Sequence, residues 1–361
     1  MNQRKIFSIS MVKNEADVIE SFVRYNLNIL DGMVILDHFS TDNTVVILKN
    51  LINEGLPITL WPAVDVEHNQ NKMMTTLMYK TFRKFQPNMI IPLDADEFIV
   101  SADGTTHPRK LLEELADGNI YKIHWKTYFP HEKDNPDYLL ITQKMQHCID
   151  GFDHTQEMSK AIVFRSIAKK YKPSLSMGSH NLNINWRFRA FTPRIKLQSL
   201  RLAHFPIRSI DQLKSKVFVN QINNLSRIDS KKGDSFHIKD LFEKMKSDDR
   251  QVSISDLQRF VADSYFPGKN LTTVTLKHDP VRLPFCTALD MKYTKLNEIN
   301  YLENVLENCT VLAKHYADLK REKYSLTKTV FSIFIVIKGL TKQFITQRLL
   351  GFNHDQERYQ L

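Results

Sequence analysis

Met89-Ile-Ile-Pro-Leu-Asp94-Ala-Asp96-Glu97-Phe-Ile-Val100 decides how this chain is read. A wholly apolar run of strand length ends in two carboxylates at i and i+2, with a third at i+3. In an extended chain alternate side chains point the same way, so Asp94 and Asp96 are expected to face one crevice. The segments before it alternate in type. Ile6 to Val12, Met33 to Leu36 and Ile58 to Trp61 read as strands, the second short and wholly apolar as a buried parallel strand should be. Between them, Ala16 to Leu30, Asp42 to Glu54 and Gln70 to Phe85 read as helices. Ser40 or Thr41 is the expected cap of the second, and Gly55 its end. Alternation of this kind predicts an α/β fold, a mostly parallel sheet flanked by helices. Ligands of such sheets bind beyond the carboxyl ends of the strands, where Asp94 and Asp96 would sit.

Paired carboxylates repel unless a cation neutralises them, and oxygen donors suit Mg²⁺ or Mn²⁺ shared with substrate phosphates. A solvated acidic turn is the competing explanation for a bare D-x-D. A second acidic exit follows the second strand in Leu36-Asp37-His38-Phe39-Ser40-Thr41-Asp42-Asn43-Thr44. Asp37 ends that strand, and Ser40 and Asp42 suit a turn into a helix. A calcium loop is poorly supported, because no glycine follows at the required place.

Beyond Pro108 the pattern loosens. Ile120 to Phe129 and Ala161 to Arg165 read as strands, His180 to Arg189 as irregular, and Leu213 to Asn224 and Leu296 to Lys323 as helices. Asp229 to Asp234 is polar and turn-prone. A catalytic domain over 1–225 and a mostly helical C-terminal region over 226–361 are expected. At 361 residues the chain has room for about two domains.

Composition narrows the function classes. The chain is 42% hydrophobic and 25% charged, the profile of a packed globular protein. Its three cysteines, Cys148, Cys286 and Cys309, are too far apart for a zinc knuckle, and a reducing cytoplasm is the simplest expectation. The longest apolar run, Val330 to Ile337, has eight residues, against the ~18–20 needed to span a bilayer. Residues 1–120 carry 11 Lys+Arg against 16 Asp+Glu, whereas 121–361 carry 39 against 24. An acidic first third is a poor nucleic-acid footprint but can hold a divalent cation. A basic remainder suits an anionic substrate or membrane surface.

The three motifs together resemble family-2-type glycosyltransferases of the GT-A fold, closest to a bacterial subgroup whose metal motif reads D-x-D-E-F. They are Val12-Lys13-Asn14-Glu15, the Asp37 turn and Asp94-Ala-Asp96-Glu97-Phe98. Weaker likenesses follow at Ser159-Lys160, Gly178-Ser-His180 and His204-Phe-Pro-Ile-Arg-Ser209, with Lys214 or Lys216 behind. The resemblance covers roughly 1–220. It implies inverting transfer of a sugar from a nucleoside-diphosphate sugar to a glycan or lipid-linked acceptor of surface-polysaccharide or lipopolysaccharide type. It implies that Asp37 contacts the base or ribose, with Asn14, Glu15 and Lys160 nearby. Asp94 contacts the ribose or shares the metal, Asp96 ligates Mn²⁺ or Mg²⁺, and His180 or His204 completes the metal site. His38-Phe39 departs from the smaller residues common in relatives.

Such chemistry also needs a carboxylate to deprotonate the incoming hydroxyl. Asp153 and Glu157 lie between the metal motif and the later histidines and are the candidates. His107, His124, His131, His147 and His278 show no ligand spacing, and the Met73, Met74, Leu77 and Met78 cluster reads as helix core. Arg187, Arg189 and Arg194 suit an anionic acceptor or a solvated basic face. The alternatives are another nucleotide-using α/β transferase, such as a nucleotidyltransferase, or a non-catalytic nucleotide-sugar-binding module. The first usually has a glycine-rich loop after strand 1, absent from Lys13-Asn-Glu-Ala-Asp17. The second would have lost its carboxylates, and these are present. In the tail, Ile333, Ile337, Leu340 and Phe344 fall on one helical face flanked by Lys328, Lys338 and Lys342. A basic amphipathic helix of this kind can lie on an anionic membrane, or equally pack on the catalytic domain or in a dimer interface. A cytoplasmic location is therefore expected, with a peripheral position on the inner membrane face as one of the two roles open to the tail.

Overall fold

The computed structural model describes residues 3–64, 69–149, 158–191, 193–225, 253–265, 276–282, 289–295, 300 and 302–323. The first elements are β1 (Ile6–Val12), α1 (Ile19–Asn26), β2 (Gly32–Asp37), α2 (Thr44–Asn53), β3 (Ile58–Pro62), α3 (Gln70–Phe85) and β4 (Met89–Pro92). Next come β5 (Glu97–Ser101), α4 (Pro108–Glu113), β6 (Ile120–Phe129), α5 (Ile141–Lys144), β7 (His147–Ile149), β8 (Ser159–Phe164) and α6 (Arg165–Tyr171). The short β9 (Ser174–Leu175) and β10 (Leu182–Asn183), β11 (Arg194–His204) and α7 (Ile210–Leu225) follow. Helices over Ile254–Tyr265 and 302–323 and the strand β12 (Leu276–His278) complete the description.

The fold is α/β. Its main sheet runs β12-β7-β6-β8-β4-β1-β2-β3, with β11 pairing both β5 and β6. From β4 to β3 every pairing is parallel, as the alternating segments predict. Val12 stands opposite Asp37 and Ile9 opposite Pro92, so the carboxyl ends of β1, β2 and β4 finish side by side. Beyond β4 the sheet turns antiparallel, through β8, β6, β7 and β12. Because β8 runs against β4, its first residues lie at the end of β4 where Asp94 follows. Contacts divide the chain into two units, 1–308 and 309–361. Among the described residues, no helix is long and apolar enough to cross a membrane.

The apolar strands and the inner faces of the helices form one core, with Ile9, Ile35, Ile91, Phe22, Leu48 and Met78 all buried. Met74 and Leu77 are buried with Met78, so this cluster is helix core. A smaller cluster joins Phe129, Ile207 and Leu213 to Leu257 and Val261 of the Ile254–Tyr265 helix.

The expected cap of α2 is corrected. Its N-cap is Asn43, while Ser40 Oγ accepts the Asn14 amide at 3.0 Å and Asp42 Oδ1 accepts the Thr44 amide at 3.0 Å. The Ser40 and Thr41 side chains are turned to the neighbouring strand exit instead. The turn 229–234 and the tail 325–350 lie outside the described residues.

Helix α1 buries residues on more than its apolar stripe, because a later segment crosses it. The Glu20 carboxylate accepts the backbone N–H groups of Lys292, Tyr293 and Thr294 at 2.9, 2.9 and 2.7 Å. Arg24 joins Glu20 at 2.9 Å and Glu54 at 2.8 and 2.9 Å, and Tyr293 Oη donates to Glu54 at 2.6 Å. Burial alone would raise the Glu20 pKa, but these backbone donors and Arg24 outweigh it and hold it low. Hydrogen bonds from Arg24 and Tyr293 hold Glu54 at about 2. Depressed carboxyl pKa values contribute stability that is present above the unfolded value of ~4.5 and lost as pH falls toward 2. Urea midpoints are therefore expected to drop over that window, and Glu54→Gln to flatten the drop. Glu20→Ala leaves three amides without their acceptor and should cost about 1–3 kcal/mol at pH 7. A midpoint unchanged by Glu20→Ala would show that this crossing segment contributes nothing.

Candidate functional site

Asp94 and Asp96 do not lie in an extended chain. The strand stops at Pro92, and residues 94–97 form a turn closed by the Glu97 amide on the Asp94 carbonyl at 3.1 Å. The shared-crevice expectation, based on strand alternation, is thus corrected at its premise. The two carboxylates have different partners. Asp94 Oδ2 accepts from Lys160 Nζ at 2.6 Å, and the same ammonium donates to the Gly178 carbonyl at 2.8 Å. Glu97, fully buried, lies 3.4 Å from Lys160 and accepts the Asp94 amide at 2.9 Å. Burial pushes the Glu97 carboxyl well up. For Lys160 burial works against the charge, but Asp94 and Glu97 outweigh it and keep its pKa above the ordinary value. The third carboxylate of D-x-D-E is a brace under the turn.

Asp96 faces the other way. Its Oδ2 lies 3.8 Å from His204 Nε2 and 4.0 Å from both Arg208 Nη1 and Lys216 Nζ. His204 reaches this point because β11 runs antiparallel to β5, opposite Glu97, and parallel to β6, opposite Thr127. Its ring stacks on Trp125 at 4.1 Å between centroids, and Nδ1 meets Thr127 Oγ1 at 3.2 Å. Burial, then the Lys216 charge, drives its pKa well below the usual value, so the imidazole is neutral. His180 packs against the edge of the same Trp125. Its Nδ1 sits 2.8 Å from the Ser159 carbonyl, so Nδ1 carries the proton and Nε2 is left as an acceptor.

Arg208 ties this cluster to the exit of β1. Its guanidinium donates to both oxygens of Asp17 at 2.7 and 2.8 Å and to Glu15 at 2.6 Å. Burial, with Asp96 and Asp17 nearby, raises the Glu15 carboxyl to about 7 despite Arg208. At the same exit Asn14 has a φ of 56°, and its Oδ1 accepts the amide of Thr41, in the turn after β2, at 2.7 Å. Asp37 accepts the Ser40 amide at 3.3 Å. Burial raises the Asp37 carboxyl and lowers Lys13 to about 8, with the Asp37 charge partly restoring the latter.

The structure therefore brings Asp94, Lys160, Asp96, His204 and Glu15 into one linked cluster at the strand ends, with His180 and Asn14 beside it and Asp37 at the neighbouring exit of β2. Asp153 and Glu157 lie outside the described residues. Sequence reasoning did not single out Arg208, Asp17 or Trp125. The only signal was position: Arg208 stands four residues after His204 in the motif already quoted. Lys216 stands behind that motif in the sequence, and the structure sets its ammonium 4.0 Å from Asp96. Four of the other histidines lie elsewhere: His107 caps α4, and His131 stacks on His147 beside His278.

Among the described residues no three His, Cys, Asp or Glu side chains converge as a complete metal cage. The donors nonetheless fit a cation that takes its other ligands from a diphosphate: one carboxylate oxygen and a neutral imidazole nitrogen face each other 3.8 Å apart. Mg²⁺ and Mn²⁺ are commonly held by one or two protein groups plus substrate phosphates.

No protein-family model matches the chain, and no curated protein does. Among solved structures it is similar to a mannosyltransferase, PcManGT from Pyrobaculum calidifontis in complex with GDP-Man and Mn²⁺. The identity is 10% over 74% of this chain and 70% of that one, with a TM-score of 0.37. It is also similar to residues 1–349 of TarS from S. aureus, at 13% identity over 65% and 69%, TM-score 0.34. A third is glucosyl-3-phosphoglycerate synthase from Mycobacterium tuberculosis in complex with Mn²⁺ and UDP-glucose, at 15% over 64% and 81%, TM-score 0.32. At these identities and scores the likeness does not extend to a shared site or activity.

Proposed function

We propose that this chain is a metal-dependent, inverting glycosyltransferase of GT-A type. It moves a sugar from a nucleoside-diphosphate sugar to a glycan or lipid-linked acceptor. The observation that carries this reading is Asp96 facing the neutral His204 Nε2 at 3.8 Å, at the carboxyl ends of parallel strands whose neighbouring exit holds Asp37. Asp96 and His204, with His180 Nε2 as a further donor, would hold Mn²⁺ or Mg²⁺. A bound divalent cation supplies Lewis-acid neutralisation of the leaving diphosphate.

The chain's own groups do the rest. Asp37, with Asn14 and Glu15, is assigned to the base or ribose. Asp94, fixed by Lys160, is assigned to the ribose side of the cation. Lys216, part-exposed and 4.0 Å from Asp96, is placed to meet a phosphate oxygen. Arg208 is spent on Glu15 and Asp17 and acts as a positioning residue. One of Asp153 and Glu157 takes the acceptor's proton. A peripheral membrane position, through the 325–350 tail, belongs to the same proposal.

Two experiments test it. The thermal midpoint is expected to rise with UDP or GDP only when Mn²⁺ is present, and a panel of nucleotide-sugars should then identify a donor that is turned over. Absence of any metal-dependent nucleotide effect would refute the assignment. With a donor in hand, Asp153→Asn or Glu157→Gln should collapse turnover by about 10²–10⁴-fold while donor binding survives. If both variants keep near-normal rates, the base lies elsewhere.

A further inference from the structure

Helices α3 and α6 enclose a cleft of about 770 Å³ that the proposed reaction does not use. It sits at the far end of β4 from Asp94: α3 ends just before that strand begins, and Arg165 follows directly on the last residue of β8, which pairs with Met89. Tyr79, Phe82 and Arg83 line it from α3, and Arg165, Lys169 and Lys172 from α6 and its C-cap. Its volume lies within the ~300–1,000 Å³ usual for small-molecule sites.

Four cations face this concavity and no carboxylate lines it. Asp117, the carboxylate that touches α6, is engaged by Ser166 and is not on the wall. Among the described residues, Arg83, Lys169 and Lys172 have no side-chain partner, and Arg165 gives one weak bond to the Gln86 carbonyl at 3.3 Å. Basic residues in the last turn of a helix complement its dipole, which accounts for Arg83 and Lys169. It does not account for Arg165, the first residue of α6, where a cation is unfavourable, nor for the convergence of all four on one hollow.

Apart from Gln86, the rest of the wall is apolar. Phe82 is nearly buried, and the Tyr79 hydroxyl is spent on the Pro173 carbonyl at 2.7 Å, leaving its ring as apolar surface. Like charges gathered on a partly apolar concavity are relieved by an anion, and guanidinium groups suit phosphoryl oxygens.

We propose that this cleft binds a phosphoryl group carried on an apolar or aromatic body, at a site separate from the strand-end cluster. That chemistry has two sources, a soluble phosphate ester or the headgroup of an anionic lipid. The test uses the full chain and calorimetric titration with phenyl phosphate and with inorganic phosphate. Vesicles of phosphatidylglycerol, with phosphatidylcholine as control, address the lipid source.

Phenyl phosphate is expected to bind more tightly than inorganic phosphate. The double variant Arg83→Ser/Lys169→Ser, both positions exposed, should weaken it by about tenfold or more with an unchanged thermal midpoint. Asp96→Asn should leave it unaltered, which separates this site from the proposed donor site. Sedimentation with phosphatidylglycerol vesicles that the double variant abolishes would assign the phosphoryl group to lipid; soluble binding without it would assign a soluble ester. Equal binding of both probes by wild type and double variant, or no saturable binding of phenyl phosphate and no vesicle binding, would overturn the proposal.

Discussion

Asp96→Asn is expected to remove Mn²⁺-dependent binding of UDP or GDP, by about a hundredfold or more, while the fold stays intact. The substitution keeps shape and deletes one charge at the only point where a carboxylate oxygen, a neutral imidazole and two cationic side chains meet among the described residues. A cation held by so few protein groups depends on each, and a hundredfold corresponds to ~2.7 kcal/mol, within the several kcal/mol such an ion supplies. The fold should survive, because Arg208 keeps its bonds to Asp17 and Glu15. Titration of nucleoside diphosphate with and without Mn²⁺, alongside a thermal midpoint, reads both quantities. Equal affinity in variant and wild type with Mn²⁺ present would remove Asp96 from the metal site. A collapse of the midpoint would instead make Asp96 a structural counter-charge for Arg208 and Lys216.

How much of this was legible follows from where local pattern and tertiary pairing agree. Helix α3 and strand β6 begin and end where their periodicity places them, since each has a strong apolar face. Strand β11, which delivers His204, was not legible. Ile195 and Leu197 fall on odd positions and Leu200 and Leu202 on even ones. The register shift between Lys196 and Arg201 changes the parity, so no single period-two pattern runs through the segment. The D-x-D is legible as a motif at a strand end, but its geometry is not, because Glu97 accepts the Asp94 amide and folds the chain back. Lys160 was assigned by resemblance alone. Its burial against Asp94 needs the antiparallel pairing of β8 with β4 and β6, which no local signal announces. Charge followed the same rule: the sequence suggested that the acidic exits await a divalent cation, whereas Lys160 and Arg208, from distant segments, already neutralise part of them.

Arg208→Met is expected to cost about 3–5 kcal/mol of unfolding free energy at pH 7, the scale for removing one partner from a buried ion pair. The guanidinium is 1% exposed and makes three short bonds to two carboxylates from the β1 exit, so its loss leaves their charges uncompensated. Methionine fills much of the volume, so the deficit is chiefly electrostatic. Its pH dependence separates this from a packing defect. Glu15 already titrates near 7 with Arg208 present, and without that cation its pKa moves higher still. A folded carboxyl pKa raised above the unfolded ~4.5 favours the fold most below 4.5, and that advantage is lost as pH rises through the folded value. The gap between variant and wild type should therefore be smaller near pH 4.5, where Glu15 is protonated and only its share is absent, and widen as pH passes 7. Arg208→Lys, which keeps the charge but cannot grip Asp17 with two donors in the same way, should fall between the two. Urea denaturation across pH 4.5–8 checks all three proteins. A loss that is the same at every pH would mean that Arg208 serves as packing, and a loss below about 1 kcal/mol would mean that the carboxylates find other partners.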